Sequence, residues 1–71
     1  MAVKFIIKTH DARGLIEYYQ YEYGNGLLML GGLRMSTPFD SYEEAQAKVE
    51  ELIAKFDFYI YQIEKVFYKP V

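Results

Sequence analysis

Ile16-Glu17-Tyr18-Tyr19-Gln20-Tyr21-Glu22-Tyr23 is the stretch on which the fold turns. Tyrosine and isoleucine suit a pleated, half-buried surface, and turn residues stand on both sides, so the stretch reads as a strand. Near the other end Phe58-Tyr59-Ile60-Tyr61-Gln62-Ile63 repeats the pattern. Both segments place aromatic or aliphatic groups on the two faces of a sheet. A chain of 71 residues can cover only one of those faces with its own helix.

Splitting the stretch by the strand period of two gives a more apolar odd set, Leu15, Glu17, Tyr19, Tyr21 and Tyr23, and an even set of Ile16, Tyr18, Gln20 and Glu22. The odd set is expected against the helix. The opposite face then carries Ile6, Ile16 and Tyr18, one member of each pair in Leu27-Leu28-Met29-Leu30, and either Tyr59-Tyr61-Ile63 or Phe58-Ile60. Uncovered apolar positions in this number predict a partner, because a monomer rarely exposes a contiguous patch of several hundred Å² without using it.

Upstream, Val3, Phe5 and Ile7 alternate with Lys4 and Lys8 and predict a first strand, followed by a turn over residues 9–14. Downstream, Gly24-Asn25-Gly26 predicts a turn before the apolar run 27–30. Gly31-Gly32 predicts a bend, a bulge or a close backbone approach, with Leu33-Arg34-Met35 able to continue the strand until Ser36-Thr37-Pro38 ends the pairing. Ser41-Tyr42-Glu43-Glu44 has capping-box spacing and opens a helix of about 42–56. Ala45, Val49, Leu52, Ile53 and Phe56 form its apolar stripe, and Glu44–Lys48 and Glu51–Lys55 are favourable i,i+4 pairs. Residues 58–68 read as the last strand and Lys69-Pro70-Val71 as a frayed end. The expected fold is α+β: a single domain over residues 1–71, a small antiparallel sheet in the order β-β-β-α-β, with one amphipathic helix packed on one face.

Composition narrows the function. A core of this size removes only about 60% of the unfolded surface from water, and small domains usually add disulfides, a metal or a second subunit. With no cysteine and one histidine, the first two are not expected, and 52% hydrophobic residues leave self-association as the support. A net charge of −2 speaks against general nucleic-acid binding, which needs a basic stripe. The run 2–8 is too short and too interrupted by lysine for a signal peptide or membrane span, so a cytoplasmic setting without membrane contact is expected.

Catalytic constellations are weak. His10-Asp11 lacks a neighbouring nucleophile or metal partner, and a histidine in a turn is ordinarily solvated or bonded to backbone. The glycines lie between strand-like runs, whereas a phosphate loop needs a strand before and a helix after. No enzyme activity and no cofactor are expected. The candidate binding residues are Tyr18, Tyr59 and Tyr61 with Arg13, Arg34 and Lys65; the cations are scattered along the sequence, and where the fold or an oligomer brings them beside the tyrosines the set suits an anion bearing a flat ring. Their expected place is the edge of a subunit contact.

The run Phe39-Asp40-Ser41-Tyr42-Glu43-Glu44-Ala45 through Ile63-Glu64-Lys65-Val66 resembles a pattern in short uncharacterised bacteriophage and prophage proteins: a hairpin, a helix opened by an aromatic, a cap and Glu-Glu-Ala, then a closing strand. The resemblance covers about half the chain. It implies an antagonist of a host system that occludes a host protein or sequesters a signalling nucleotide, and it transfers no site residues. The combined expectation is a non-enzymatic, homo-oligomeric binding protein. The alternatives are an interaction module without a ligand pocket and a virion or assembly protein.

Overall fold

The computed structural model describes residues 2–24 and 26–68. Four strands, β1 (Ala2–His10), β2 (Ile16–Glu22), β3 (Leu28–Gly31) and β4 (Ile60–Tyr68), and one helix, α1 (Tyr42–Lys55), form an α+β fold. The sheet order is β3-β2-β1-β4, and every neighbouring pair is antiparallel. The expected sheet, helix and element order are present. Asn25 and Lys69-Pro70-Val71, assigned from sequence to a turn and a frayed end, lie outside the described residues.

The first turn is later and tighter than residues 9–14. Thr9 and His10 remain in β1, and one Asp11 carboxylate oxygen accepts the Arg13 and Leu15 N–H groups at 2.8 and 2.9 Å. Gly14 closes this turn at φ +84°, where a side chain would be strained. The N–H bonds to the Asp11 side chain hold its carboxyl below the usual range, that from Leu15 first.

The helix starts where its cap predicts. The Glu44 N–H donates to Ser41 Oγ at 3.1 Å, and Ala45, Val49 and Leu52 are buried along one stripe. Val49 and Leu52 pack with Ile7, Tyr19 and Phe56, and Leu28, Phe39, Tyr59, Tyr61 and Ile63 close around them. Full burial of a side chain such as Leu52 contributes about 2 kcal/mol. Ile53 is half-exposed and outside this stripe, a correction to the expected set. Lys48 turns to Glu22 and Glu51, at 3.0 and 2.9 Å, in place of the expected Glu44, while the Glu51–Lys55 pair forms at 3.3 Å.

The odd-set assignment holds for Glu17 and Tyr19 and fails beyond them. Tyr19 pairs with Leu30 but Tyr21 pairs with Met29, so Gln20 is an extra residue and β2 bulges there. After the bulge the phase is reversed. Glu22 faces the helix and its lysines, while Tyr21 and Tyr23 turn to the other face, their rings edge-on at 5.1 Å and their hydroxyls hydrogen-bonded at 2.9 Å. The irregularity expected at Gly31-Gly32 is therefore carried by β2. Gly31 supplies the close approach: a Cβ there would meet Gln20 Nε2 at 2.1 Å.

Leu33–Met35 forms a short 3-10 helix and does not continue β3. From it the chain runs between the diverging strands. β1 pairs with β2 only over Lys8–His10, and farther along Phe5 bonds to Phe39 instead. The Thr37 N–H donates to the Tyr19 carbonyl at 3.0 Å and its hydroxyl to the Gln20 carbonyl. Residues 37–39 thus bridge β2 and β1, and Phe39 emerges stacked on Tyr19, with ring centroids 6.2 Å apart.

Candidate functional site

Strand pairing fixes what lies on the face away from α1. His10 stands between Ile16 and Ile60, Lys8 between Tyr18 and Gln62, Ile6 beside Glu64, and Lys4 beside Val66. Ile60 is 65% exposed and Ile16 49%, so this end of the face is apolar and open. Its middle is polar, with Lys8 Nζ 3.8 Å from the Glu64 carboxylate. Burial, then the neighbouring Glu64 charge, raises the Tyr18 hydroxyl pKa.

The far end holds a cleft of about 560 Å³. It is lined by Ile6, Leu33, Arg34, Ser36, Val66, Phe67 and Tyr68, so β1, the 3-10 segment and the end of β4 meet there. Ile6 points away from α1 yet is 1% exposed, and it shares the lining of this cleft with Leu33 and Arg34 of the 3-10 helix. Arg34 has no ion-pair partner among the described residues, whereas Lys4 nearby is held by Asp40. An apolar cleft carrying one guanidinium can hold a small molecule with a flat apolar body and an anionic group.

The fold does not bring the six candidate binding residues together. Tyr18 lies on the open face, as expected. Tyr59 and Tyr61 face α1 and pack against the core, and Tyr61 donates its hydroxyl to the Phe56 carbonyl at 2.7 Å. That burial pushes the Tyr61 pKa up to about 12. Of the two options for the last strand, Ile60 is the outward group. Arg13 sits in the β1–β2 turn, 3.5 Å from Asp11, roughly 20 Å along the sheet from the cleft at about 3.3 Å per residue. Lys65 lies on the helix side, its ammonium 5.9 Å from the Phe67 ring centroid. Only Arg34 joins the cleft.

His10 and Asp11 do not form a dyad. Asp11 is turned into its own turn, and His10 Nε2 is enclosed without a hydrogen-bond partner among the described residues. Among those residues no group of three or more His, Asp or Glu side chains could hold a metal ion, and no helix is long and apolar enough to cross a membrane. The cleft residues Ile6, Val66, Phe67 and Tyr68 were not distinguishable as a site from sequence. A usable signal was present in the stretch Leu33-Arg34-Met35-Ser36-Thr37, five residues enclosed by Gly31-Gly32 and Pro38, which interrupt strand pairing on both sides.

No family model, curated protein or solved structure matches this chain.

Proposed function

We propose that the chain is a non-enzymatic binding protein that takes up a small anionic ligand with a flat apolar body in the cleft beneath the 3-10 helix. The observation that carries this reading is Arg34, a guanidinium without an ion-pair partner among the described residues, set at the rim of an apolar cleft. Nucleotides have that combination of ring and charge. In this reading the protein works as a homo-oligomer, supported by the exposed apolar residues Ile16, Tyr21 and Ile60 on the same sheet face. The bacteriophage resemblance supplies the biological setting we propose, sequestration of a signalling nucleotide of the host.

Thermal unfolding against a panel of mono- and dinucleotides tests it. A ligand at about 100 times its dissociation constant adds about 2.7 kcal/mol, a rise of roughly 10 °C or more for a domain of this size. Arg34→Ala is expected to remove the rise without lowering the unliganded melting temperature. A rise that survives the substitution places the ligand elsewhere and overturns the reading.

A further inference from the structure

The long outer edge of the sheet specifies its own partner. β4 is an edge strand of nine residues, Ile60–Tyr68, without proline. An edge of this length and composition is a template for further pairing. Which of its backbone groups face outward follows from Phe5, whose N–H and C=O both bond to Phe39, on the side of β1 away from β4. Antiparallel pairing alternates, so Lys4, Ile6 and Lys8 are the β1 residues that exchange hydrogen bonds with β4, through Val66, Glu64 and Gln62. The N–H and C=O groups of Tyr61, Ile63, Lys65 and Phe67 therefore point out from the sheet.

A second copy of the same strand can bind those groups about a two-fold axis normal to the sheet, which pairs residues of equal parity. Full overlap centres on Glu64 and opposes two carboxylates. Of the two registers next in overlap, the one centred on Lys65 opposes two ammonium groups. The other, centred on Ile63, opposes no like charges: Ile63 meets itself, Gln62 meets Glu64, Tyr61 meets Lys65, and Ile60 meets Val66. Each opposition is favourable, since the Gln62 amide can donate to a carboxylate, Lys65 can lie against the Tyr61 ring, and two half-exposed or exposed aliphatic groups cover each other.

We propose that β4 pairs antiparallel with β4 of a second copy in the register centred on Ile63, joining two sheets into one. This rests on the homo-oligomer part of the reading above and is independent of the cleft ligand. The two open faces then form a continuous surface with a cleft on either side of the axis.

The chain has no cysteine, so disulfide trapping reports the register without background. Gln62 and Glu64 of the second copy form a non-hydrogen-bonded pair with Cα atoms about 4.5 Å apart, within disulfide reach. Gln62→Cys and Glu64→Cys chains, each checked for native circular dichroism and then mixed under mild oxidant, are expected to give a species of twice the monomer mass that neither variant gives alone. Cross-linking of Glu64→Cys by itself overturns the register. A dimer by light scattering of the unmodified chain with no cross-link in the mixture overturns edge pairing and leaves the oligomer standing. A monomer by scattering overturns both.

Discussion

Phe5 and Phe39 exchange both backbone hydrogen bonds, Phe5 N–H to the Phe39 carbonyl at 2.9 Å and Phe39 N–H to the Phe5 carbonyl at 2.7 Å. This bridge lets the chain leave the 3-10 helix on one face of the sheet and reach α1 on the other within a few residues. The Phe39 ring then stacks on Tyr19 and seals the core at the point where β1 and β2 diverge. Phe39→Ala removes that seal. The expected loss is about 2–4 kcal/mol in urea unfolding, the lower part of the range for a large aromatic because the residue is only partly buried. A loss below about 1 kcal/mol would show that the crossing segment is peripheral.

The bulge at Gln20 decides which tyrosines face the helix. Deleting Gln20 removes the extra residue and keeps the observed phase, with Tyr21 still opposite Met29 and Glu22 still toward the lysines of α1. Because no side chain changes face, the deletion is expected to cost only about 1–2 kcal/mol, chiefly the lost bond from the Thr37 hydroxyl to the Gln20 carbonyl. Gly31→Ala asks only that the far end of the flexible Gln20 side chain swing aside, and is expected to change stability by less than about 1 kcal/mol. Chemical denaturation of the two variants side by side checks the contrast.

Glu22 joins β2 to α1, accepting from Lys48 Nζ at 3.0 Å and from Lys55 Nζ at 3.2 Å. Both lysines also bond Glu51, which limits the damage when Glu22 is replaced. Glu22→Gln is expected to cost about 1 kcal/mol, near the top of the range for exposed pairs because the Glu22 side chain is only 14% exposed. Hydrogen bonds from Lys48 and then Lys55 hold the Glu51 carboxyl below its usual pKa. A depressed carboxyl stabilises the fold above its unfolded pKa and loses that contribution as pH falls through the folded value. Melting temperature should thus decline on acidification below about pH 4.5, less steeply in Glu51→Gln.

At alkaline pH the sign is set by the tyrosines. Tyr61 ionises near 10 when unfolded and only at about 12 when folded, so its contribution is intact below pH 10 and is lost as pH rises through that window. Tyr18 and Tyr19, also raised chiefly by burial, act in the same direction. Tyr61→Phe loses the bond to the Phe56 carbonyl and should be about 1 kcal/mol less stable at pH 7. Above about pH 10 its stability should fall less steeply than that of the unsubstituted chain, so the two curves converge. Unfolding titrations at neutral and alkaline pH read both the offset and the convergence.

The helix and its cap were legible because local rules determine them: Ser41 and Glu44 stand at capping distance, and Ala45, Val49 and Leu52 recur on one face. The phase of β2 was legible only as far as Tyr19. An extra residue such as Gln20 leaves no mark in a run of tyrosines, glutamates and glutamine, since both phases place acceptable residues on both faces. Ile53 fits the helical period but lies at the border of the buried stripe, and only packing decides which border residue is covered. The six candidate binding residues could not be placed from their types. Arg34 reaches the cleft because Leu33–Met35, just after a glycine pair, coil into a 3-10 turn, whereas Arg13 and Lys65 are held by turn geometry and strand parity at other sites.

The most direct test of the binding reading is a two-dimensional amide NMR titration of the full chain with the same nucleotide panel. The account predicts that at least one ligand shifts a contiguous set around the cleft, Ile6, Leu33, Arg34, Val66, Phe67 and Tyr68, and leaves the His10–Leu15 turn unmoved. Shifts confined to that turn, or no shift with any member of the panel, would contradict it.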